Sequence, residues 1–294
     1  MLGAAKEGNT KRLISVLGYI RNINFEDDQK ETALHKAAQV GHTGTAELLL
    51  SKGAATEVMN EDKNTPLHLA TQMGHTGITE LLLIKGATTE AADKGENTPL
   101  HLAAWMGQTG IAELLLSKGA ATEAMNEDKN TPLHLAARMG HTGMVELLLS
   151  NGATIEAMNT DKHTPLHYAA QRGHTSAVEL LLEKGALIEV MDMDNYTPLN
   201  RAAYYGSTNA VELLLAKGAS IQTTNRYKDT PLHNAVWNNN TNLVNLLLKN
   251  GASIEPRNID DRSPLDLARR YGRTAIVQLL ENKAAEIAAH GDHA

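Results

Sequence analysis

Cysteine is absent from the 294 residues. That excludes a disulfide framework, a thiolate nucleophile and a zinc–thiolate site, and it is compatible with a reducing compartment. Aromatic residues are scarce as well, at two Trp, seven Tyr and one Phe, the last being Phe25. With 42% hydrophobic residues overall, the interior must be built from Ala and Leu, as in close helix packing and unlike a sandwich or barrel core. A basic excess is lacking too: the formal net charge is −7, most of it carried by the first half, which argues against binding nucleic acid through its phosphates. No run of about 18 apolar residues occurs, and the opening "MLGAAKEGNTKRLISVLGYI" has no apolar core followed by a small-residue cleavage site. A soluble, cytoplasmic, monomeric chain without membrane insertion is the expectation. GxSxG, GxxxxGK[ST] and HExxH are all missing, so no catalytic role is expected, and no cofactor.

What the chain does have is a period. TPLH or a close relative begins at Thr32, Thr65, Thr98, Thr131, Thr164, Thr197, Thr230 and Ser263, each 33 residues after the last. Around it runs one grammar: TPLHLA, a glycine, then ELLL, a second glycine, and a polar link such as "TEVMNEDKN". Thr before Pro suits a helix start, where the hydroxyl caps and proline lacks only a donor that would be unpaired anyway. Glycine after each apolar run suits a helix end, and the Asn and Asp of the link favour turns. Such short helices cannot bury their apolar faces alone, so the copies must stack. The spacing predicts a capping unit at 1–26, seven repeats at 27–59, 60–92, 93–125, 126–158, 159–191, 192–224 and 225–257, a C-terminal capping repeat at 258–290, and a tail at 291–294. Residues 51–70 and 117–136 differ at one position in twenty, Val58 against Ala124, which suggests a block duplication in the generic first half.

The period and the TPLHxA signature closely resemble the ankyrin-repeat family, over nearly the whole chain. The resemblance implies an all-α repeat solenoid, in which a β-turn or hairpin-like finger and two antiparallel helices make each unit and a concave face binds a partner. One departure recurs. Where the family usually has glycine in the fingertip, this chain has Lys30, Lys63, Glu96, Lys129, Lys162, Asn195, Lys228 and Asp261, which predicts a different turn there.

Ten of the thirteen histidines belong to the period: His35, His68, His101, His134, His167 and His233 in TPLH, and His42, His75, His141 and His174 after the first glycine. The resemblance makes them hydrogen-bonding links between neighbouring units, and no metal site is expected of them. His290, Asp292 and His293 in the tail are read as a frayed end. Glu57, Glu90, Glu123, Glu156, Glu189 and Glu255 share one slot, and they are expected to form exposed ladders with the fingertip lysines.

The aromatics break the pattern. Family resemblance places the two residues before the first glycine, and the finger residues before Thr, on the binding face. Trp105, Tyr196, Tyr204, Tyr205, Tyr227, Trp237 and Tyr271 fall in those slots, whereas core filling would put rings among LLL and LHLAA. With Met106, Arg138, Met139, Arg172 and Arg270 they make the candidate partner-binding set. Tyr, Trp and Arg dominate binding hot spots, and seven of the eleven arginines follow residue 200. The function expected is therefore a non-catalytic protein-interaction module. Two alternatives stand beside it: an engineered or idealised scaffold without a natural ligand, and the regulatory or targeting part of a larger protein, host-directed bacterial proteins included.

Overall fold

Each TPLH motif starts a helix of seven or eight residues, and each TxxxELLL stretch a second one of nine. The computed structural model describes residues 1–19 and 22–291; Asp292, His293 and the side chain of His290, part of the tail group, lie outside the described residues. Among the described residues there are 18 α-helices and no β-strand. The chain divides into two compact bodies, Met1–Ala136 with Gly143–Thr154 and Ala137–Thr142 with Ile155–Ala294.

Helices this short are unstable in isolation, since nucleation costs more than two turns return. Packing against copies of themselves supplies the difference. In the N-terminal body the first helices Ala33–Val40, Pro66–Gln72 and Pro99–Met106 pack in succession, as do the second helices Thr43–Ser51, Thr76–Ile84 and Thr109–Ser117. In the C-terminal body Pro165–Arg172, Pro198–Tyr205, Pro231–Trp237 and Pro264–Arg270 form one layer, and Thr175–Glu183, Thr208–Ala216, Thr241–Lys249 and Thr274–Gly291 the other. Leu67, Leu82, Leu100 and Leu115 in the first body, and Leu199, Leu214 and Leu247 in the second, are fully buried, each worth about 2 kcal/mol of transfer free energy. Alanines such as Ala103, Ala104, Ala202 and Ala203 are equally buried and let neighbouring helices approach closely.

The motif histidines tie successive repeats together. The Thr65 backbone N–H donates to His68 Nδ1 at 3.2 Å, and His68 Nε2 reaches the Asn97 carbonyl of the next repeat at 3.1 Å. His35 to Asn64, His101 to Asn130, His167 to Tyr196 and His233 to Arg262 repeat that reach at 2.9–3.1 Å. An imidazole that accepts at Nδ1 and donates at Nε2 is neutral. The second set works against glycine. His75 bonds back to the Gln39 carbonyl at 3.2 Å, and its ring lies where a Cβ on Gly41 would sit, 2.7 Å from Cε1. Gly41 also has φ +90°, so both conformation and space demand glycine.

The fingertips are built alike. Asn126 Oδ1 accepts from the Asp128 and Asn130 backbone amides at 3.2 and 2.9 Å, and the Lys129 amide donates to the Asn126 carbonyl at 2.8 Å. The same Asx slot closes the finger at Asn60, Asp93, Asp192 and Asn225. At its apex Lys30, Lys63, Glu96, Lys129, Lys162, Asn195, Lys228 and Asp261 all take φ between 56° and 60°. The departure from glycine is thus one of residue type: the backbone keeps the left-handed conformation that glycine prefers. Each residue pays about 1–2 kcal/mol for it, and the hydrogen bonds of the finger, at about 1 kcal/mol each, offset that cost.

The glutamate slot departs from expectation. The carboxylates accept backbone amides of the next repeat instead of pairing with fingertip lysines: Glu57 from Thr88 at 3.1 Å, Glu90 from Ala121 at 3.1 Å, Glu123 from Thr154 at 2.8 Å, and in the second body Glu156 from Leu187 and Glu189 from Ser220 at 2.8 and 2.7 Å. An amide donor fixed in space is a better partner for a carboxylate than a solvated, flexible ammonium, which loses side-chain entropy when it pairs.

Two outcomes follow from this architecture. Replacing exposed Lys129 by Ile, whose branched side chain suits positive φ poorly, lowers stability by about 1 kcal/mol, while Lys129→Gly leaves it unchanged or raises it; urea unfolding midpoints measure both. Burial holds His35, His68, His101 and His233 below the ordinary imidazole range and His167 down to about 4. The unfolded chain therefore takes up protons that the folded chain refuses. Stability is fully present above about pH 6.5 and falls as pH drops toward 4, with a slope of up to about 1.4 kcal/mol per pH unit for each histidine. Thermal unfolding across that range would show a flat profile if these rings carried no such linkage.

Candidate functional site

Three successive first helices of the C-terminal body change character at one slot. Where Leu69, Leu102, Leu135 and Leu267 occupy it elsewhere, these repeats carry Tyr168, Arg201 and Asn234. Tyr168 fills the slot with a ring, its hydroxyl accepting from Asn159 Nδ2 at 2.9 Å, and Arg138 lies over that ring at 5.5 Å.

Arg201 brings a charge to the slot, and the chain supplies a counter-charge. Its Nε donates to Asp192 Oδ2 at 2.5 Å, and its guanidinium sits 4.5 Å over the ring of Tyr196. Asp192 is completely buried in its side chain and also meets His163 Nε2 at 3.3 Å. Burial alone would raise its pKa; the His163 contact, the Arg201 charge and the Tyr196 amide together hold it at about 2. The finger's Asx cap has here become one half of a buried ion pair. Lys36 and Asp27 repeat the pairing in the same two slots of the N-terminal body at 2.9 Å.

Next to this network the aromatics converge. Tyr196 meets Tyr204 edge-on at 5.8 Å, Tyr204 meets Tyr205 at 5.3 Å, and Trp237 meets Tyr271 at 5.0 Å, all with interplanar angles of 71–84°. Edge-to-face pairs of this kind hold rings rigid before any ligand arrives. Tyr196, Tyr204, Tyr227, Trp237 and Tyr271 line one groove of about 310 Å³, together with Asn234, Ile259, Leu267, Asp229, Asp260 and Arg262. Tyr196 is 6% exposed and belongs to the framework of the groove, and burial pushes its phenol up to about 12. Tyr227, Trp237 and Tyr271, at 38%, 51% and 37% exposure, present open ring surface.

Of the other candidates, Tyr205 is exposed beside a polar hollow lined by Asn238, Asn239 and Asn240, while Arg172, Arg270 and Met139 are exposed outside the groove lining. Trp105 and Met106 are exposed on a helix of the N-terminal body and are therefore not part of this groove. Five of the seven C-terminal arginines, Arg201, Arg226, Arg257, Arg262 and Arg269, form ion pairs within the chain. Arg201 and Arg226 meet Asp194 at 3.8 and 2.6 Å, Arg262 meets Asp260 at 3.1 Å, and Arg257 meets Asp266 at 3.3 Å. Their bias toward this half thus partly serves internal pairing. Asp192, Asn234, Tyr168 and Ile259 were not singled out as site residues; the substitution of the leucine slot was the signal for Tyr168 and Asn234. Among the described residues no group of three or more His, Asp and Glu is placed to hold a metal ion, and no helix is long and apolar enough to cross a membrane.

Tandem helix pairs with turn-built fingers define an all-α repeat solenoid. The chain belongs to the ankyrin-repeat family: a three-copy ankyrin-repeat model matches residues 1–93, 88–159 and 154–225, and a many-copy model matches 214–268. No curated protein is a significant match to the chain.

The ion pair gives a direct test of how the site departs from its scaffold. Arg201→Leu restores the residue usual at that slot but leaves the buried Asp192 carboxylate with only His163 and the finger amides, costing up to about 3 kcal/mol. Adding Asp192→Asn, which restores the usual cap as well, recovers most of that loss. Chemical denaturation of both variants and of the single Asp192→Asn completes the cycle, and additive losses would show that the two residues do not interact.

Proposed function

We propose that the chain is a non-catalytic protein-binding module whose main contact surface is the aromatic groove of the C-terminal body. Ankyrin repeats generally mediate protein–protein interaction, and the observation that carries this reading is the convergence of Tyr196, Tyr204, Tyr227, Trp237 and Tyr271 on one groove. These residues span 76 positions of sequence in three repeats, and a scaffold with no ligand would gain nothing by gathering half-exposed rings there. Exposed rings already locked by their neighbours lose little entropy on binding and bury large area. Tyr205, Met139, Arg138, Arg172 and Arg270 extend the candidate surface of the C-terminal body, and Trp105 with Met106 is a separate candidate contact on the N-terminal body. Repeats divided at residues 27, 60, 93, 126, 159, 192, 225 and 258 supply the frame, and the partner is a protein.

The replacement of Tyr204, Tyr205 and Trp237 by Ala tests this. Proteins captured by the unaltered chain should be lost by the triple variant, each ring contributing about 2 kcal/mol, or roughly 30-fold in affinity. Circular dichroism should be preserved, because Tyr205 and Trp237 are exposed and Tyr204 is half-buried. Capture that survives all three replacements places the partner surface elsewhere.

A further inference from the structure

Two successive repeats that line the groove differ in charge at equivalent places. One period after Arg201 stands Asn234, and one period after Tyr196 stands Asp229, so a cation is removed and an anion added. In the earlier repeat the guanidinium comes from the chain itself: Arg201 lies 2.5 Å from Asp192 and 4.5 Å from the centre of the Tyr196 ring. Arg226 repeats the combination, 2.6 Å from Asp194 and 4.8 Å from the centre of the Tyr227 ring. A carboxylate and an aromatic face suit a guanidinium together, because its edges donate hydrogen bonds while its plane stacks.

The groove presents both parts without that cation. Asp229 has no basic partner among the described residues: it accepts from the neutral Asn258 amide at 2.9 Å, while Arg262, the one base in the lining, is paired with Asp260 at 3.1 Å. Among the described residues no guanidinium lies over Tyr204, Trp237 or Tyr271 either. Asn234 is 3% exposed, lines the groove, and its Nδ2 makes no hydrogen bond. An amide that nothing holds can turn its oxygen to a donor. Carboxylate, amide and tyrosine hydroxyls are acceptors, so the surplus in this groove is of acceptors and negative charge, set beside open ring faces.

We propose that the groove receives an arginine side chain of the partner, its guanidinium stacked on the Trp237 and Tyr271 rings and paired with Asp229. The partner thereby supplies from outside what Arg201 supplies one repeat earlier from within. Arginine fits better than lysine because a planar, weakly hydrated group with five donors can stack and still meet several acceptors, whereas an ammonium is a strongly hydrated point charge. The inference rests on the reading of the groove as the partner surface and names what the partner presents to it.

The chain has two tryptophans, so a Trp105→Phe background leaves Trp237 as the sole indole reporter. That protein is titrated to about 10 mM with acetylated, amidated glycine–serine peptides carrying one central arginine, lysine or citrulline, the last being the uncharged near-isostere of arginine. The arginine peptide should give a saturable change in Trp237 emission, the lysine peptide a weaker one, and the citrulline peptide none. Asp229→Asn, which keeps an acceptor for Asn258 and removes the charge, should weaken the arginine peptide by about fivefold or more. Asn234→Arg, which places in this repeat the residue of the one before, should fill the groove from within and abolish the titration. A flat arginine titration, lysine or citrulline binding as tightly as arginine, or arginine affinity unchanged in both variants overturns the proposal. Loss of captured proteins in the Tyr204/Tyr205/Trp237 variant beside a flat arginine titration would remove this inference alone. Capture that survives the triple variant would remove the functional reading beneath it.

Discussion

Everything in this protein depends on one hydrogen-bonded link, the imidazole that caps its own helix through Nδ1 and reaches the next repeat's finger through Nε2. Helices of seven to nine residues have no independent stability, and a fingertip in the left-handed conformation has less. At His35, His68, His101, His167 and His233 a single ring joins the two, so that the start of the first helix and the placement of the following finger are decided together. Because both nitrogens are committed and the ring is buried, the neutral form is the one this arrangement requires.

With alignment settled by the backbone and by histidine, other slots are free to vary. The C-terminal body uses that freedom at the position normally held by leucine. Arg201 there recruits Asp192 from the finger cap, and Tyr196 lies beneath the guanidinium. Asn234, one repeat later, has no counterpart to recruit and stays unpaired. A buried pair that breaks even and an amide that costs stability are both poor ways to build a core. They make sense as groove chemistry carried by a scaffold whose other slots, filled with fully buried leucine and alanine, tolerate the loss.

Much of this was legible from the residues alone. The 33-residue period, the Thr–Pro helix starts and the glycine stops follow from repeated local chemistry, the inter-repeat role of the histidines was implied by the family resemblance, and the structure shows each of them. Grouping of the aromatics was partly legible, since departures from a strict repeat stand out: Tyr204, Trp237 and Tyr271 were visible as exceptions in slots of known direction. What could not be read was partnership. The glutamates share a slot with regular spacing, yet nothing in their spacing says that a backbone amide of the next repeat lies nearer than a lysine. The fingertip lysines look like a different turn by residue type, whereas the finger's hydrogen bonds impose the glycine-like conformation on them.

The sequence by itself determined the period, the helices, the family and the places where the pattern is broken, because those depend on neighbours within a few residues or at a constant offset. Only the tertiary structure decided that Tyr196 is framework and Trp237 is surface, that most of the C-terminal arginines answer carboxylates of their own chain, and that Asn234 faces a groove with nothing to bond. These depend on distances between side chains from different repeats, and burial and pairing at that range are set by packing, which no single position encodes.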